Sequence, residues 1–292
     1  MSSKNQIKTN VKEIFELNEN FKSMEEKVEK TIGVQKEYVK KLKHMDRKKV
    51  EFSSMVSHEL KTPLVPILGY VQMLQKEDLF GELNEKQRDA VDEIYLSTIK
   101  LQRLIGDILT TQKLDLGKLD FTKEDIKISE LLNGVLKEFT PLINEKEIKM
   151  SIKCDENMYI NSDKDRINQV FSNIIKNAID FVTPKIGDIV IGANDDANFV
   201  EFFVQDNGPG ISIENQKEIF KKFYQIDTSS SRKRSGSGLG LTICKGIIEG
   251  LGGKIRVKSK ENIKTKFYFT ITKNPIKLTI KNKYSKKKKT KI

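Results

Sequence analysis

An apolar repeat over the first fifty residues constrains the fold more than any other feature of this chain. Apolar residues recur every three and four positions, and Lys and Glu fill many of the spaces between them. The a positions are Ile7, Ile14, Phe21, Val28, Gln35, Leu42 and Lys49, and the d positions are Asn10, Leu17, Met24, Thr31, Tyr38, Met45 and Phe52. This repeat predicts a coiled coil over residues 1–46, favoured as a parallel dimer. A single amphipathic helix packed on a globular body is the alternative.

The composition is that of a helix-rich chain with a modest core. Hydrophobic residues make up 37% and charged residues 32% of the 292 positions, a length that allows one large domain or two ordinary ones. No apolar run approaches the roughly 18 residues that a membrane helix needs, and the first residues lack the apolar segment of a signal peptide. Cys154 and Cys244 lack metal-ligand or redox spacing, so we expect a reduced, cytoplasmic protein.

The net charge of +12 is concentrated at the C-terminal end. The lysines of that end are Lys281, Lys283, Lys286, Lys287, Lys288, Lys289 and Lys291. A block of this kind predicts a disordered, solvated tail over residues 274–292. Contact of this tail with nucleic acid or with an anionic membrane is the less favoured alternative.

A potentially reactive motif follows the apolar repeat. The stretch Ser57–Pro63 contains one of the two histidines of the chain, and a carboxylate and a hydroxyl follow it as Glu59 and Thr62. His58 lies about 200° around a helix from the apolar residues two positions before and after it. The imidazole is therefore predicted to face solvent, as the side chain of a reactive group must.

Two long amphipathic helices are predicted to form a hairpin over residues 47–118. The first continues through Pro63 and Pro66, which tend to bend it. The second begins at Asn84, which predicts a capping box with Gln87 three positions later. A hairpin cannot bury both apolar stripes alone, so two copies are expected to form a four-helix bundle.

The pattern changes after a short linker over residues 119–125. Helical stretches over 128–144 and 163–181 alternate with β-rich stretches, of which the clearest are 189–191, 199–204, 255–257 and 267–271. This alternation predicts a mixed α/β domain over residues 126–273, which is an ordinary domain size.

Two groups of residues in this domain predict a nucleotide site. Asn173 and Asn177 lie four positions apart on one helix face, where two amide oxygens can hold a hydrated Mg²⁺. Two surface asparagines are the alternative. Asp206 ends a strand, where it can accept a hydrogen bond from an amino group such as that of adenine. Gly208 and Gly210 then let the backbone approach a ligand closely, although a tight turn alone would also explain them.

A glycine-rich stretch opens the predicted helix over 241–249, and the free N–H groups and dipole of a helix start favour phosphate. Its candidate binding residues are Gly236, Gly238, Leu239 and Gly240. The aromatic Phe220 and Tyr224 precede this stretch. Arg232 and Lys233 lie between, in a polar segment that can close as a lid over a triphosphate.

Taken in order, these motifs resemble the five boxes of the catalytic core of sensor histidine kinases of two-component signalling. The stretch around His58 resembles the H box, Asn173–Asp180 the N box, Asp206–Gly210 the G1 box, Ile219–Tyr224 the F box and Gly236–Leu241 the G2 box. All five follow the order of the family and cover roughly residues 50–273. The resemblance implies a dimerisation and histidine phosphotransfer domain, followed by an α/β sandwich of the Bergerat fold that binds ATP.

The resemblance also implies roles for individual residues. His58 would attack the γ-phosphate of Mg-ATP, and Glu59 would orient the ring or take its proton. Asn177 would be the main Mg²⁺ ligand, with Asn173 assisting, and Asp206 would recognise adenine. Arg232, or else Lys233, would neutralise the transferred phosphate. Asn173 stands where hydrolytic relatives of this fold carry a glutamate base. Because an amide cannot activate water, ATP would react with the histidine rather than be hydrolysed.

The resemblance implies a homodimer that passes its phosphate to an aspartate of a response regulator receiver domain. Thr62 lies four positions after His58 and implies a second activity, dephosphorylation of that regulator. No segment resembles a sensor or receiver domain, so the input is expected from a partner or from a longer chain. The alternatives are a catalytically weak dimeric scaffold and a Bergerat-fold ATPase whose lysine tail contacts nucleic acid.

Overall fold

The chain begins with a helix of 73 residues, α1 (Ser2–Leu74), which continues through Pro63 and Pro66. The computed structural model describes residues 2–76, 80–226 and 236–273. It divides into two units, residues 1–59 and residues 60–292. The predicted lysine tail and the candidate site residues Arg232 and Lys233 lie outside the described residues.

The first unit consists of helix alone, as the apolar repeat predicts. In the single chain the apolar stripe of this helix is exposed to solvent, because the large apolar side chains described at a and d positions are all exposed. They are Leu17, Phe21, Met24, Val28, Tyr38, Leu42, Met45 and Phe52. Exposed apolar stripes of this extent are typical of a helix that pairs with another helix.

The second unit opens with the last turns of α1 and with α2 (Glu85–Asp115). The predicted capping box at the start of α2 is confirmed. The Asn84 side chain accepts a hydrogen bond from the Gln87 backbone N–H at 2.9 Å, and the Asn84 N–H donates to the Gln87 side chain at 3.0 Å. Leu64, Val71, Val91 and Ile105 are buried, whereas other apolar residues of the hairpin are exposed. The exposed set includes Leu60, Val65, Ile67, Tyr70, Ile94, Leu96 and Leu101.

A five-stranded mixed sheet in the order β2-β4-β5-β7-β6 forms the centre of the α/β part, where only β2 and β4 pair in parallel. A two-stranded sheet pairs β1 with β3. The strands are β1 (Glu124–Lys127), β2 (Lys149–Lys153), β3 (Tyr159–Ser162), β4 (Asp188–Asp195), β5 (Phe199–Asp206), β6 (Ile255–Lys260) and β7 (Lys264–Thr272). The four predicted strands are confirmed as parts of longer ones. The predicted linker is shorter than expected, because its last two residues pair with β3.

Helices cover one face of the five-stranded sheet. They are α3 (Ile128–Glu145), α4 (Lys164–Phe181) and α6 (Gly240–Gly250), and a short helix α5 (Ile213–Glu218) precedes α6. Three fully buried phenylalanines join the layers. Phe171 of α4 meets Phe202 edge-on at 5.7 Å between ring centroids, and Phe202 stacks on Phe269 at 5.1 Å. This packing places the carboxyl end of β5 and the start of α6 beside α4.

Over the residues that the structure describes, no helix combines the length and apolarity needed to cross a membrane.

Candidate nucleotide and phosphotransfer site

His58 is highly exposed on α1, with 82% of its side chain accessible. The Glu59 carboxylate lies at 3.7 Å, measured from the His58 Nδ1 atom to Glu59 Oε1. Adjacent helical residues point in different directions, so the glutamate side chain has to reach back towards the ring, as expected. The distance places a carboxylate next to the imidazole. Thr62 is exposed on the same helix.

Asp206 ends β5 and is buried, with 5% of its surface exposed. Its Oδ1 accepts a hydrogen bond from the Gly208 backbone N–H at 2.9 Å. Burial raises the pKa of Asp206 to about 6, and the Gly208 hydrogen bond opposes that rise. A buried carboxylate strengthens a hydrogen bond to a ligand amino group because little water competes for it. Thr265, also buried, lies directly opposite Asp206 in the β5–β7 pairing.

The loop after Asp206 is held by protein contacts. The Asn207 side chain donates to the Ile186 carbonyl at 2.9 Å and accepts from the Asp188 N–H at 2.8 Å. Gly210 has φ +75°, and a Cβ there would overlap the Lys260 carbonyl oxygen. The close neighbour of this glycine in the structure is the β6 backbone, and its approach to a ligand stays a prediction. A Cβ at Gly208 would instead crowd the Asp206 carboxylate at 2.8 Å.

Asn173 of α4 is buried, and its side chain connects three elements. Its Nδ2 donates to the Gly240 carbonyl at the start of α6 at 3.4 Å, and its Oδ1 accepts from the Arg103 guanidinium of α2 at 3.3 Å. Asn177, one turn later, is half-buried. The Asn173 amide therefore lies beside the glycine-rich stretch, and its oxygen accepts a hydrogen bond from a cation of α2.

Backbone contacts join the aromatic segment to the glycine-rich stretch. The Phe223 N–H donates to the Gly238 carbonyl at 3.0 Å, and the Gln225 side chain donates to the Gly236 carbonyl at 2.8 Å. Gly238 has φ +68°, and a Cβ there would lie 2.7 Å from the Phe223 backbone. Leu239 is buried in the core. These contacts hold residues 225 and 236 side by side, at the two ends of the segment that contains Arg232 and Lys233.

Phe220 and Tyr224 are both partly buried against the core. The Phe220 ring lies edge-on to Phe267, with 6.4 Å between centroids. The Tyr224 hydroxyl donates to the Asn215 side chain of α5 at 2.7 Å. Both aromatic side chains thus make intramolecular contacts that position the backbone next to the glycine-rich stretch.

Helix α2 supplies residues that the sequence reasoning missed. The Ser237 hydroxyl donates to Asp107 at 3.2 Å, and Lys222 contacts Asp115 at 2.6 Å. Burial raises the pKa of Asp107 against the opposing effects of Arg103 and of the Ser237 hydrogen bond. Arg103 and Asp107 lie four residues apart, so one face of α2 meets both Asn173 and the glycine-rich stretch. Their partners lie 70 and 130 positions away, and no local pattern indicates such a pairing.

The observed residues fit an adenine nucleotide with a hard cation. Asp206 offers a buried acceptor, and space surrounds the Cβ positions of Gly236 and Gly240, the latter with Asn173 as its nearest neighbour at 3.7 Å. The described residues contain no group of three or more acidic, histidine or cysteine side chains that would hold a metal alone. Mg²⁺ suits such a site, since it retains waters and takes its remaining ligands from amide and phosphate oxygens.

Comparison with known proteins assigns the helical hairpin and the α/β domain to families. Residues 48–117 match the family model of the His Kinase A (phospho-acceptor) domain, and residues 162–275 match that of the histidine kinase-, DNA gyrase B- and HSP90-like ATPases. The aerobic respiration control sensor protein ArcB homolog of Haemophilus influenzae is 31% identical over 242 residues, covering 81% of this chain and 72% of that protein. The chain belongs to the sensor histidine kinases. It contains the catalytic core of that family, a helical phospho-acceptor region followed by an α/β domain of the ATP-binding type.

Solved histidine kinases share this fold. Full-length ShkA in complex with AMPPNP matches with a TM-score of 0.64 and 27% identity, over 76% of this chain and 45% of that one. ThkA in complex with the response regulator protein TrrA matches with a TM-score of 0.53 and 26% identity, over 77% of this chain and 62% of that one. This chain spans only 12–26% of the length of several larger curated relatives, which are 30–35% identical to it over the matched residues.

Proposed function

We propose that this protein transfers the γ-phosphoryl group of ATP to His58 and then to an aspartate of a response regulator. The observation that carries this proposal is the pairing of two features. A buried acceptor, Asp206, lies in a domain where the Asn173 amide contacts a glycine-rich helix start, and an exposed imidazole lies on a helix of the phospho-acceptor region. The first set suits a phosphate donor, and the second suits a phosphate acceptor.

His58 acts as the nucleophile through a ring nitrogen that carries a free lone pair, as one nitrogen of a neutral imidazole does. A ring nitrogen forms a bond to the γ-phosphorus while the bond between that phosphorus and the bridging oxygen of ADP breaks. Glu59, at 3.7 Å from Nδ1, orients the ring and accepts the proton that the ring loses. Because phosphoryl transfer depends mainly on positioning and charge, few further side chains are needed.

On the donor side, Asp206 accepts a hydrogen bond from the adenine amino group. Asn177 and Asn173 would hold Mg²⁺ through their amide oxygens, and the metal would supply charge neutralisation at the phosphates. The N–H groups around Gly236, Gly238, Leu239 and Gly240 receive the phosphates at the start of α6. Arg232 or Lys233 neutralises the transferred group, while Phe220 and Tyr224 position the adjoining segment.

The active species is proposed to be a homodimer. In the single chain, apolar side chains are exposed along the first unit and, separately, on the hairpin of the second unit. Pairing with a second copy would bury the first set in a coiled coil and the second set in a four-helix bundle. The complex of the related ThkA with a response regulator supports a receiver domain as the phosphate-accepting partner. Thr62 is proposed to support a second reaction, in which water hydrolyses the aspartyl phosphate of that partner and releases inorganic phosphate.

The test is incubation of the full chain with radiolabelled Mg-ATP, using His58→Gln and the matched control His44→Gln. His44 is the other histidine of the chain and is also exposed on α1. We expect an acid-labile, alkali-stable label in the wild type and the control, and none in His58→Gln. Steady release of phosphate without a protein label would instead indicate an ATPase. Nucleotide binding with neither label nor hydrolysis would indicate a scaffold.

A further inference from the structure

The face of the five-stranded sheet opposite the helices carries an unbalanced charge. Side chains alternate along a strand, so residues between the core positions point to this open face. The pairing register arranges them in rows across the strands. One row is Lys153, Gly192, Phe203, Tyr268 and Arg256, and the next is Ser151, Val190, Gln205, Lys266 and Lys258.

Cations dominate these rows and their margins. The seven cationic residues, called the basic sheet face below, are Lys149, Lys153, Arg256, Lys258, Lys260, Lys264 and Lys266. All are exposed except Lys266, which is half-buried. Two carboxylates lie among these cations. Glu201 forms an ion pair with Arg256, and Asp188 lies opposite Lys149 in the β2–β4 pairing. The open face therefore keeps a clear excess of positive charge.

Two aromatic rings lie beneath these cations. The Phe203 ring lies across Gly192, where a Cβ would approach it to 2.5 Å, and Phe203 is only 5% exposed. The Lys266 ammonium lies 3.8 Å from the centre of the Phe203 ring, and the Arg256 guanidinium lies 4.8 Å from that of Tyr268. Burial lowers the pKa of Lys266, with Glu201 opposing and the neighbouring lysines adding to the effect. The cations of this face are thus close to one another, and two of them lie over the rings of Phe203 and Tyr268.

This arrangement selects among anionic partners. A second copy of the same face and the lysine-rich C-terminal segment carry like charge, so both are repelled. Single-stranded nucleic acid binds such sheets by stacking bases on exposed rings, whereas Phe203 is covered and the half-buried Tyr268 ring has the Arg256 and Lys266 cations over it. A specific protein partner takes most of its affinity from a few large side chains in well-packed pockets, whereas cations lie over both aromatic rings of this face. An anionic membrane needs neither feature, since it attracts a cluster of lysines by charge alone.

We propose that the basic sheet face binds the surface of a membrane that contains anionic lipids. The side chain of Asp206 projects from β5 to the helix-covered side, so docking through the open face leaves the nucleotide site uncovered. Each lysine or arginine near such a surface strengthens binding about fivefold, and salt screens the attraction. This inference concerns a different surface from the proposed phosphotransfer site and does not depend on it.

The test is cosedimentation of the full chain with phosphatidylcholine vesicles, with and without phosphatidylserine, at low and high salt. The face variant replaces three exposed lysines of β2 and β6 with glutamine, as Lys149→Gln, Lys153→Gln and Lys258→Gln. The control removes the same charge from exposed lysines on the helices, as Lys137→Gln, Lys164→Gln and Lys245→Gln. Circular dichroism melts and nucleotide affinity check that both variants fold.

We expect wild-type chain to bind the phosphatidylserine vesicles at low salt, and the face variant to bind them about a hundredfold more weakly. The control should lose less than about fivefold. Three results would overturn the proposal: no wild-type binding to phosphatidylserine, equal losses in both variants, or binding of a single-stranded oligonucleotide but not of vesicles. The second result would assign binding to overall charge or to the lysine-rich tail.

Discussion

Arg103 of α2 provides a direct test of how the helical hairpin influences the nucleotide site. Its guanidinium donates to the Asn173 amide oxygen that is proposed to assist Mg²⁺. A guanidinium and a metal ion at the same oxygen repel each other, so the contact with Arg103 opposes binding of the metal by Asn173. We therefore expect Arg103→Met, which keeps an aliphatic stem and removes the charge, to raise the affinity for Mg-ADP.

The size of the effect follows from the geometry of the contact. A buried hydrogen bond to a charged group contributes about 1.5–3 kcal/mol. The 3.3 Å distance is long and Arg103 is exposed, so about 1 kcal/mol is appropriate here. A contact of that strength lowers the apparent affinity of the wild type for Mg-ADP about fivefold, since 1.4 kcal/mol corresponds to a factor of ten.

The assay is titration of a fluorescent ADP analogue with Mg²⁺ and with excess chelator. We expect Arg103→Met to bind about fivefold more tightly with Mg²⁺ and to be unchanged without it, because only the metal requires the oxygen. Lys113→Met, exposed near the end of the same helix, is the control and should behave as wild type. Unchanged or weaker binding with Mg²⁺ would refute the reasoning, and an equal gain without Mg²⁺ would indicate general release of α2.

Three further predictions concern single residues of the site. Asp206→Asn should stabilise the folded domain by about 3 kcal/mol in urea unfolding at neutral pH, because a desolvated charge is removed, while adenine nucleotide affinity falls. Since the folded pKa of about 6 exceeds the ordinary 3.8, this gain should be complete above the folded value and fade as the pH drops towards the lower one; a gain that grows in acid would contradict the assignment. Gly210→Ala should lose about 3 kcal/mol of stability through its positive φ and its overlap with the β6 backbone, whereas Gly240→Ala should stay within about 0.5 kcal/mol; equal melting temperatures for the two would contradict this distinction. Thr62→Ala should retain His58 labelling and lose dephosphorylation of a phosphorylated regulator, and the idea fails if the variant dephosphorylates the regulator as fast as wild type.

Features that depend on near neighbours could be predicted from the sequence. The helix over the apolar repeat, the capping box of Asn84 and Gln87 and the centres of four strands all follow from periods of two to four residues. The order of the five motifs was sufficient to indicate the family. The short strands β1, β2 and β3 were missed, because a run of four or five residues carries little pattern before its pairing partner is known.

Only the tertiary structure decided which distant residues meet. The contacts of Arg103 with Asn173 and of Asp107 with Ser237 depend on how α2 packs against the ATP-binding domain. Gly210 meets the β6 backbone for the same kind of reason. The basic sheet face exists because the pairing register aligns cations from three strands, β2, β6 and β7, on one side. The sequence determined the local elements and the reactive groups, since these follow from short-range periodicity and residue chemistry. Long-range register and packing determined their partners, because no short segment contains both sides of such a contact.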